Sequence, residues 1–304
     1  MSLLSTKLAG LNLANPTILA SGILGTSYGM LERAVAGGAG AVTIKSITRE
    51  PREGHKNPIT VEVRGGLLNA VGYSNMGLDA AKEEFKSVGK LGVPAFASVV
   101  AEDAEGFAHL AKELSRLPFK AVEVVLSCPH TPGLGLLAGH GTPEATGEIT
   151  KAVVKASRLP VFVKLSPNTQ GVGEVAKAAE KAGAAAINMG NTLGPGMVIN
   201  LEAGKPVLDF KVGGMSGPAV KPIMLRCVYD VCEAVKIPVI GCGGVLDGRD
   251  AVEYLMAGAS TVGVGTAVMY RREDAFKKIC EEIRDFMKEN GFSKIKDMVG
   301  LAHQ

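Results

Sequence analysis

Three features of the sequence predict an α/β fold: a single (β/α)8 TIM barrel with a hairpin and loop insertion after strand 2. Short β-branched or apolar runs alternate with amphipathic helical stretches along nearly the whole chain, the pattern of βα units. Eight such runs can be marked, the number that closes a parallel barrel rather than leaving an open sheet. The third feature is the stretch REPREGHKNPITVEVRGGLLNAVGYSN after the second run. It is neither helical nor a single strand, reads as a hairpin plus loop, and a long loop inside a compact domain is usually functional.

In chain order the predicted strands are Thr17–Ala20, Ala41–Ser46, Ala95–Val100, Val122–Ser127, Val161–Leu165, Ala185–Met189, Val239–Cys242 and Ser260–Val264. The helical segments between and after them include AEGFAHLAKELSRL, GEITKAVVKAS, GEVAKAAEKAG, VKPIMLRCVYDVCEAV, RDAVEYLMAG and DAFKKICEEIRDFMKENG. In each, apolar residues recur at three and four positions, as one buried helix face requires. A chain of 304 residues would suggest two domains at roughly 150 residues each, but α/β barrels often exceed that as one unit. The expectation is one domain over 1–304.

Composition narrows the function classes. With 46% hydrophobic and 21% charged residues, the chain can bury a large core, which excludes disordered and fibrous classes. The net charge is only +3, too small to imply nucleic acid or an anionic membrane as partner. No apolar run reaches the ~18 residues that span a bilayer, and the N-terminal MSLLSTKLAG lacks the basic and apolar regions of a signal peptide. A cytoplasmic location is expected. The five cysteines are widely spaced with no CxxC, and the five histidines form no HExxH or HxH pattern. Neither a disulfide framework nor a bound metal is expected.

In a (β/α)8 barrel the chemistry lies at the C-terminal ends of the strands, with phosphate often held after the seventh and eighth. Strand seven ends in Gly241-Cys242-Gly243-Gly244 and strand eight in Gly263-Val264-Gly265-Thr266, both followed by helical sequence. Backbone N–H groups of such loops can close on a phosphate beside a helix N-terminus, so a phosphorylated cofactor or substrate is expected. Lys45 and Lys164 close strands two and five, where apolar residues would be ordinary. A buried lysine is costly unless it meets an anion or takes part in chemistry. It could pair with an electron-rich ring, bind substrate or form a Schiff base. Cys128 ends strand four just before a proline, a place where a thiolate could act as base or nucleophile. Asn69 and Asn191-Thr192 lie in loops after strands two and six, where amides could read a polar heterocycle. No GxGxxG follows the first strand and no Walker loop occurs, so a dinucleotide site is unsupported.

The segments NPTILASG, IKSITREPREGHKNPI, LLNAVGYSNMG, LSCPH, FVKLSPNT, NTLGPGMVIN, GGMSGPAVKP, IGCGG and VGVGTAV together resemble the dihydroorotate dehydrogenases, specifically the class 1B catalytic subunit in its archaeal form. The resemblance runs from about residue 3 to residue 290. It implies an FMN-binding barrel that oxidises dihydroorotate to orotate in pyrimidine synthesis. It casts Cys128 as the base that removes the proton from substrate C5 while a hydride leaves C6 for flavin N5. Lys45 resembles the lysine near flavin and substrate, and Lys164 the one beside the flavin N1/O2 edge. Asn69, Ala70, Val71, Gly72 and Tyr73, with Asn191 and Thr192, match substrate contacts. Ser21, Ser46, Gly217, Gly243, Gly244, Gly265 and Thr266 match FMN positions.

The resemblance also implies a homodimer or heterotetramer, with an electron-transfer subunit carrying FAD and an iron–sulfur cluster. A homodimer using fumarate is the alternative arrangement. Two positions depart from the family pattern LNxSCPN, where Val125 and His130 stand in place of asparagines. Ser98 replaces an asparagine often found near the flavin. Competing expectations are the reduction of another pyrimidine such as uracil, a Schiff-base barrel aldolase using Lys164, and a non-catalytic barrel retained as a subunit or scaffold.

Overall fold

The computed structural model describes residues 3–126, 141–272 and 274–304. Its centre is a closed barrel of eight parallel strands: β1 (Thr17–Leu19), β2 (Ala41–Thr43), β3 (Ala95–Val99), β4 (Ala121–Val125), β5 (Val161–Leu165), β6 (Ala186–Met189), β7 (Val239–Cys242) and β8 (Thr261–Val264). Each pairs with the next in sequence, and β8 pairs with β1. The eight predicted strands are these eight, with ends displaced by up to three residues. The second is the most shortened, because past Thr43 the chain turns toward the loop after β1, where Lys45 N donates to Gly25 O at 2.8 Å. A Cβ on Gly25 would lie 2.8 Å from Lys45 N, so that approach requires glycine.

Helices follow the strands as the periodicity predicts. Ala104–Leu114 begins where Asp103 accepts from Gly106 N at 2.8 Å, a side-chain N-cap that satisfies an orphan donor. It buries Phe107, Leu110, Ala111 and Leu114. Pro143–Ala156 starts with Thr142 as cap and proline in its first turn, where the missing N–H removes no helical bond. Among the described residues no helix is long and apolar enough to cross a membrane.

The barrel interior is layered. Near the N-terminal end Ile18, Ala41, Phe96, Ala121, Phe162, Ala186 and Ile240 pack together, large and small side chains alternating to fill the taper. Phe96 and Phe162 meet edge to face at 5.1 Å. A hairpin that the sequence did not announce, Thr6–Leu8 with Leu11–Leu13, plugs this end with Leu8 and Leu13. Two residues further along each strand the same inward face returns. There it carries Thr43, Ser98, Glu123, Lys164, Asn188 and Cys242. The layer beneath the C-terminal mouth is polar, which a purely structural barrel would avoid.

The predicted insertion forms the hairpin Thr60–Val63 and Gly66–Asn69. A second insertion, after β6, was not evident in the sequence. Its segments Leu193–Gly196 and Gly213–Ser216 join the first hairpin in one four-stranded sheet, and Ile199–Asn200 pairs with Lys205–Pro206.

Candidate active site

A cavity of about 470 Å³ opens at the C-terminal end of the barrel, within the range of small-molecule sites. Ser21, Lys45, Ser46, Asn69, Ala70, Val71, Gly72, Tyr73, Lys164, Asn191, Thr192, Gly217, Gly243, Gly244, Gly265 and Thr266 all line it. Of the residues singled out in the sequence, Cys128 and His130 lie outside the described residues. Val125 lines the cavity, directly across the ladder from Lys164.

Lys164 stands on β5 and is only 5% exposed. Its Nζ donates to Ser21 Oγ at 3.2 Å and lies 4.0 Å from Glu123 Oε1. Lys45 faces the Tyr73 ring at 5.5 Å, a cation–π contact. Burial, with the Lys164 charge nearby, pulls the Lys45 amine from 10.5 down to about 8. Two cations thus share one concave site, an arrangement suited to anionic or electron-rich ligands.

The loops are tied down by amides. Asn69 Nδ2 donates to Gly214 O at 3.2 Å, joining the two insertions at the cavity wall. Asn168 Nδ2 donates to Thr192 O and its Oδ1 accepts from Gly194 N, fixing the Asn191-Thr192 loop. Thr266 Oγ1 donates to Ser216 Oγ at 2.8 Å.

The phosphate reading needs one correction. The helix after strand seven, Gly248–Met256, does not offer its N-terminus to a ligand. Asp247 accepts from Arg249 N and Asp250 N at 2.9 and 3.0 Å, and Gly248 N donates to Glu282. Those donors are already satisfied by the chain's own carboxylates. The groups facing the cavity there are the loop residues Gly243 and Gly244. Both are glycine partly for packing, since φ is +133° and +72° and a Cβ would meet Met224 or Lys221. Gly265 differs. A Cβ there would make ordinary contacts, 3.8 Å from Ala20 and 3.9 Å from Ile23, and the residue lines the cavity.

Sequence reasoning missed Glu123 and Asn188 in the polar layer beneath the cavity. Glu123 accepts from Ser98 Oγ at 3.0 Å and from Asn188 Nδ2 at 2.6 Å, and Ser98 Oγ lies 2.9 Å from Ser46 Oγ. A glutamate inside the run AVEVV was the available signal. The described cysteines are poor candidates for a base. Burial pushes Cys232 up to about 12 and Cys280 up to about 11, and raises Cys227 and Cys242 as well.

The family model for dihydroorotate dehydrogenase matches residues 3–287. The chain belongs to the dihydroorotate dehydrogenase family. It is 46% identical over 302 residues to the protein of Methanothermobacter thermautotrophicus named dihydroorotate dehydrogenase B (NAD(+)), catalytic subunit, covering 99% of both chains. Its counterpart in Methanocaldococcus jannaschii, under the same name, is 44% identical over 306 residues, again with 99% of both chains covered. The crystal structure of an Eimeria tenella dihydroorotate dehydrogenase in complex with ferulenol superposes with a TM-score of 0.83, covering 99% of this chain and 89% of that one at 21% identity. That likeness concerns the fold.

Enzymes of the dihydroorotate dehydrogenase family depend on FMN, and the cavity fits that group. The backbone at Gly265 and the hydroxyls of Thr266 and Ser216, all on the cavity wall, suit a phosphate, while Lys45 and Lys164 suit an electron-rich ring that gains negative charge on reduction.

Proposed function

We propose that the chain oxidises (S)-dihydroorotate to orotate with FMN, as a step of pyrimidine (UMP) biosynthesis, and that residues 1–304 form one FMN-binding unit. One observation carries the reading within this fold: two lysines, two asparagine loops and the glycine loops after strands seven and eight converge on one cavity at the barrel mouth.

Bound FMN supplies the hydride acceptor. Lys164, held by Glu123 and Ser21, places positive charge beneath the site where negative charge develops on reduction. Lys45, partly neutral near pH 8 because of its burial, sits where it can bind the substrate's carboxylate or the ring. Asn69 and Asn191, with the turn through Tyr73, are assigned to the substrate amides. Cys128 is assigned the C5 proton, on its motif alone. The Schiff-base alternative is less favoured, because an amine paired with a carboxylate and donating to a hydroxyl is a poor nucleophile. Reduction of a pyrimidine lacking the carboxylate keeps support from Val125, which lines the cavity where an amide would otherwise stand.

The relatives are named as catalytic subunits of an NAD(+)-using enzyme. We infer that this chain likewise works in the cytoplasm with a second subunit, one carrying FAD and an iron–sulfur cluster, as a heterotetramer. The test is product formation with an artificial electron acceptor. The purified chain should convert dihydroorotate to orotate with a dye but reduce NAD slowly without its partner. Rapid NAD reduction by the chain alone would overturn the subunit assignment, and absence of orotate with FMN bound would overturn the substrate.

A further inference from the structure

Glu123 is 2% exposed in a strand whose other residues are apolar. A lone carboxylate there would carry a large desolvation penalty, yet both of its oxygens are engaged. Ser98 donates to Oε1 and Asn188 to Oε2. The Lys164 ammonium lies 4.0 Å from Oε1 and itself donates to Ser21. Ser98 in turn bonds Ser46. A continuous chain of contacts therefore runs from Ser46 through Ser98, Glu123 and Lys164 to Ser21. Its two ends and Lys164 line the cavity, whereas Glu123 and Ser98 stand behind the wall.

We propose that Glu123 is a positioning residue that holds the Lys164 ammonium in place toward the cofactor. The proposal rests on FMN occupying the cavity. Lys45 and Lys164 repel one another in a buried site; of the two, Lys164 is the more deeply buried. Without the carboxylate, the Lys45 charge repels a Lys164 ammonium that the Ser21 hydroxyl alone would have to hold among these contacts. Among the described residues, the polar groups facing Lys164 are Glu123 from β4, Ser21 after β1, Lys45 after β2, Asn188 paired with it on β6, and the Cys242 thiol on β7. Glu123 supplies the negative charge in that set.

Glu123→Gln isolates the charge. A glutamine carbonyl can still accept from Asn188, and its amide can donate to Ser98 Oγ, whose hydroxyl then turns to Ser46. The readout is the midpoint potential of bound FMN, measured without substrate by equilibration with redox dyes, together with FMN affinity. We expect the E123Q protein to favour oxidised over reduced FMN by a further tenfold or more, equivalent to a potential about 30 mV lower for a two-electron couple. Lys164→Gln should lower the potential comparably, and E123Q added to it should do nothing more. A potential equal to or above the native one, or an equal further drop in the Lys164→Gln background, would overturn the proposal. Glu123→Asp keeps the charge and remains informative should E123Q fail to fold: a potential near native is expected, and a fall as large as that of Lys164→Gln would overturn it. Failure of the native protein to bind FMN would instead overturn the underlying reading.

Discussion

Replacing Lys45 by methionine separates the stability lost by burying a charge from the function gained by having it. Burial, aided by Lys164, lowers the amine from 10.5 to about 8. At about 1.36 kcal/mol per pH unit, that gap corresponds to about 3 kcal/mol of lost stability in cofactor-free protein. Below pH 8 the folded and unfolded chains both hold the proton, so the loss is present in full. Between about 8 and 10.5 the unfolded chain retains a proton that the folded one has released. Stability from this group therefore rises with pH through that window. Methionine has similar reach and no charge, and it forfeits the Tyr73 contact, about 0.5–1 kcal/mol. Lys45→Met should accordingly be more stable than the native protein at neutral pH by about 2 kcal/mol, with the advantage fading toward pH 10.5. Urea unfolding of both proteins, stripped of cofactor, across neutral to alkaline pH measures it. A difference that does not change with pH, or a less stable variant at neutral pH, would refute the reasoning.

Cys128→Ala should still bind FMN yet slow flavin reduction by dihydroorotate by ~10²–10⁴-fold, the usual loss for a positioned base; near-normal reduction in stopped flow would remove Cys128 from that role. Gly265→Ala should leave thermal stability within a few degrees, because a Cβ there has ordinary contacts. It should weaken FMN binding by tenfold or more, as read by fluorescence titration, and unchanged affinity would place the phosphate elsewhere. Val125→Asn should strengthen dihydroorotate binding or turnover by about 1–3 kcal/mol if the substrate offers an unpaired polar group to that wall. If the pocket is instead shaped for a pyrimidine without a carboxylate, the same variant should impair the native reaction, and the ratio of flavin-reduction rates for dihydroorotate and dihydrouracil tells the two apart.

The barrel was legible because its signals are local: Val161–Leu165, apolar apart from Lys164, and Val239–Cys242 are short runs bounded by turns, and their intervening helices carry a clear period. The second insertion was not. Leu193–Gly196 and Gly213–Ser216 are rich in glycine, and their pairing depends on partners far away in sequence. The same holds for the hairpin plugging the barrel's far end, whose Leu8 and Leu13 become core only once the barrel closes over them. Strand-end residues such as Lys45, Lys164 and Gly265 could be placed by the rule that barrel chemistry sits at C-terminal strand ends. Glu123 escaped that rule by lying two residues below the end of its strand. Asp247 and Asp250 form a capping box whose spacing was readable, yet the glycines before them drew the reading toward phosphate.

The reading stands or falls on whether this chain passes electrons from dihydroorotate to a bound FMN. Anaerobic mixing of the purified, FMN-loaded protein with dihydroorotate tests it most directly, followed by the flavin's visible absorbance. Rapid bleaching is expected, with orotate formed in equal amount to the flavin reduced, and slower bleaching with dihydrouracil. A flavin that stays oxidised with dihydroorotate, while a chemical reductant bleaches it fully, would contradict the account.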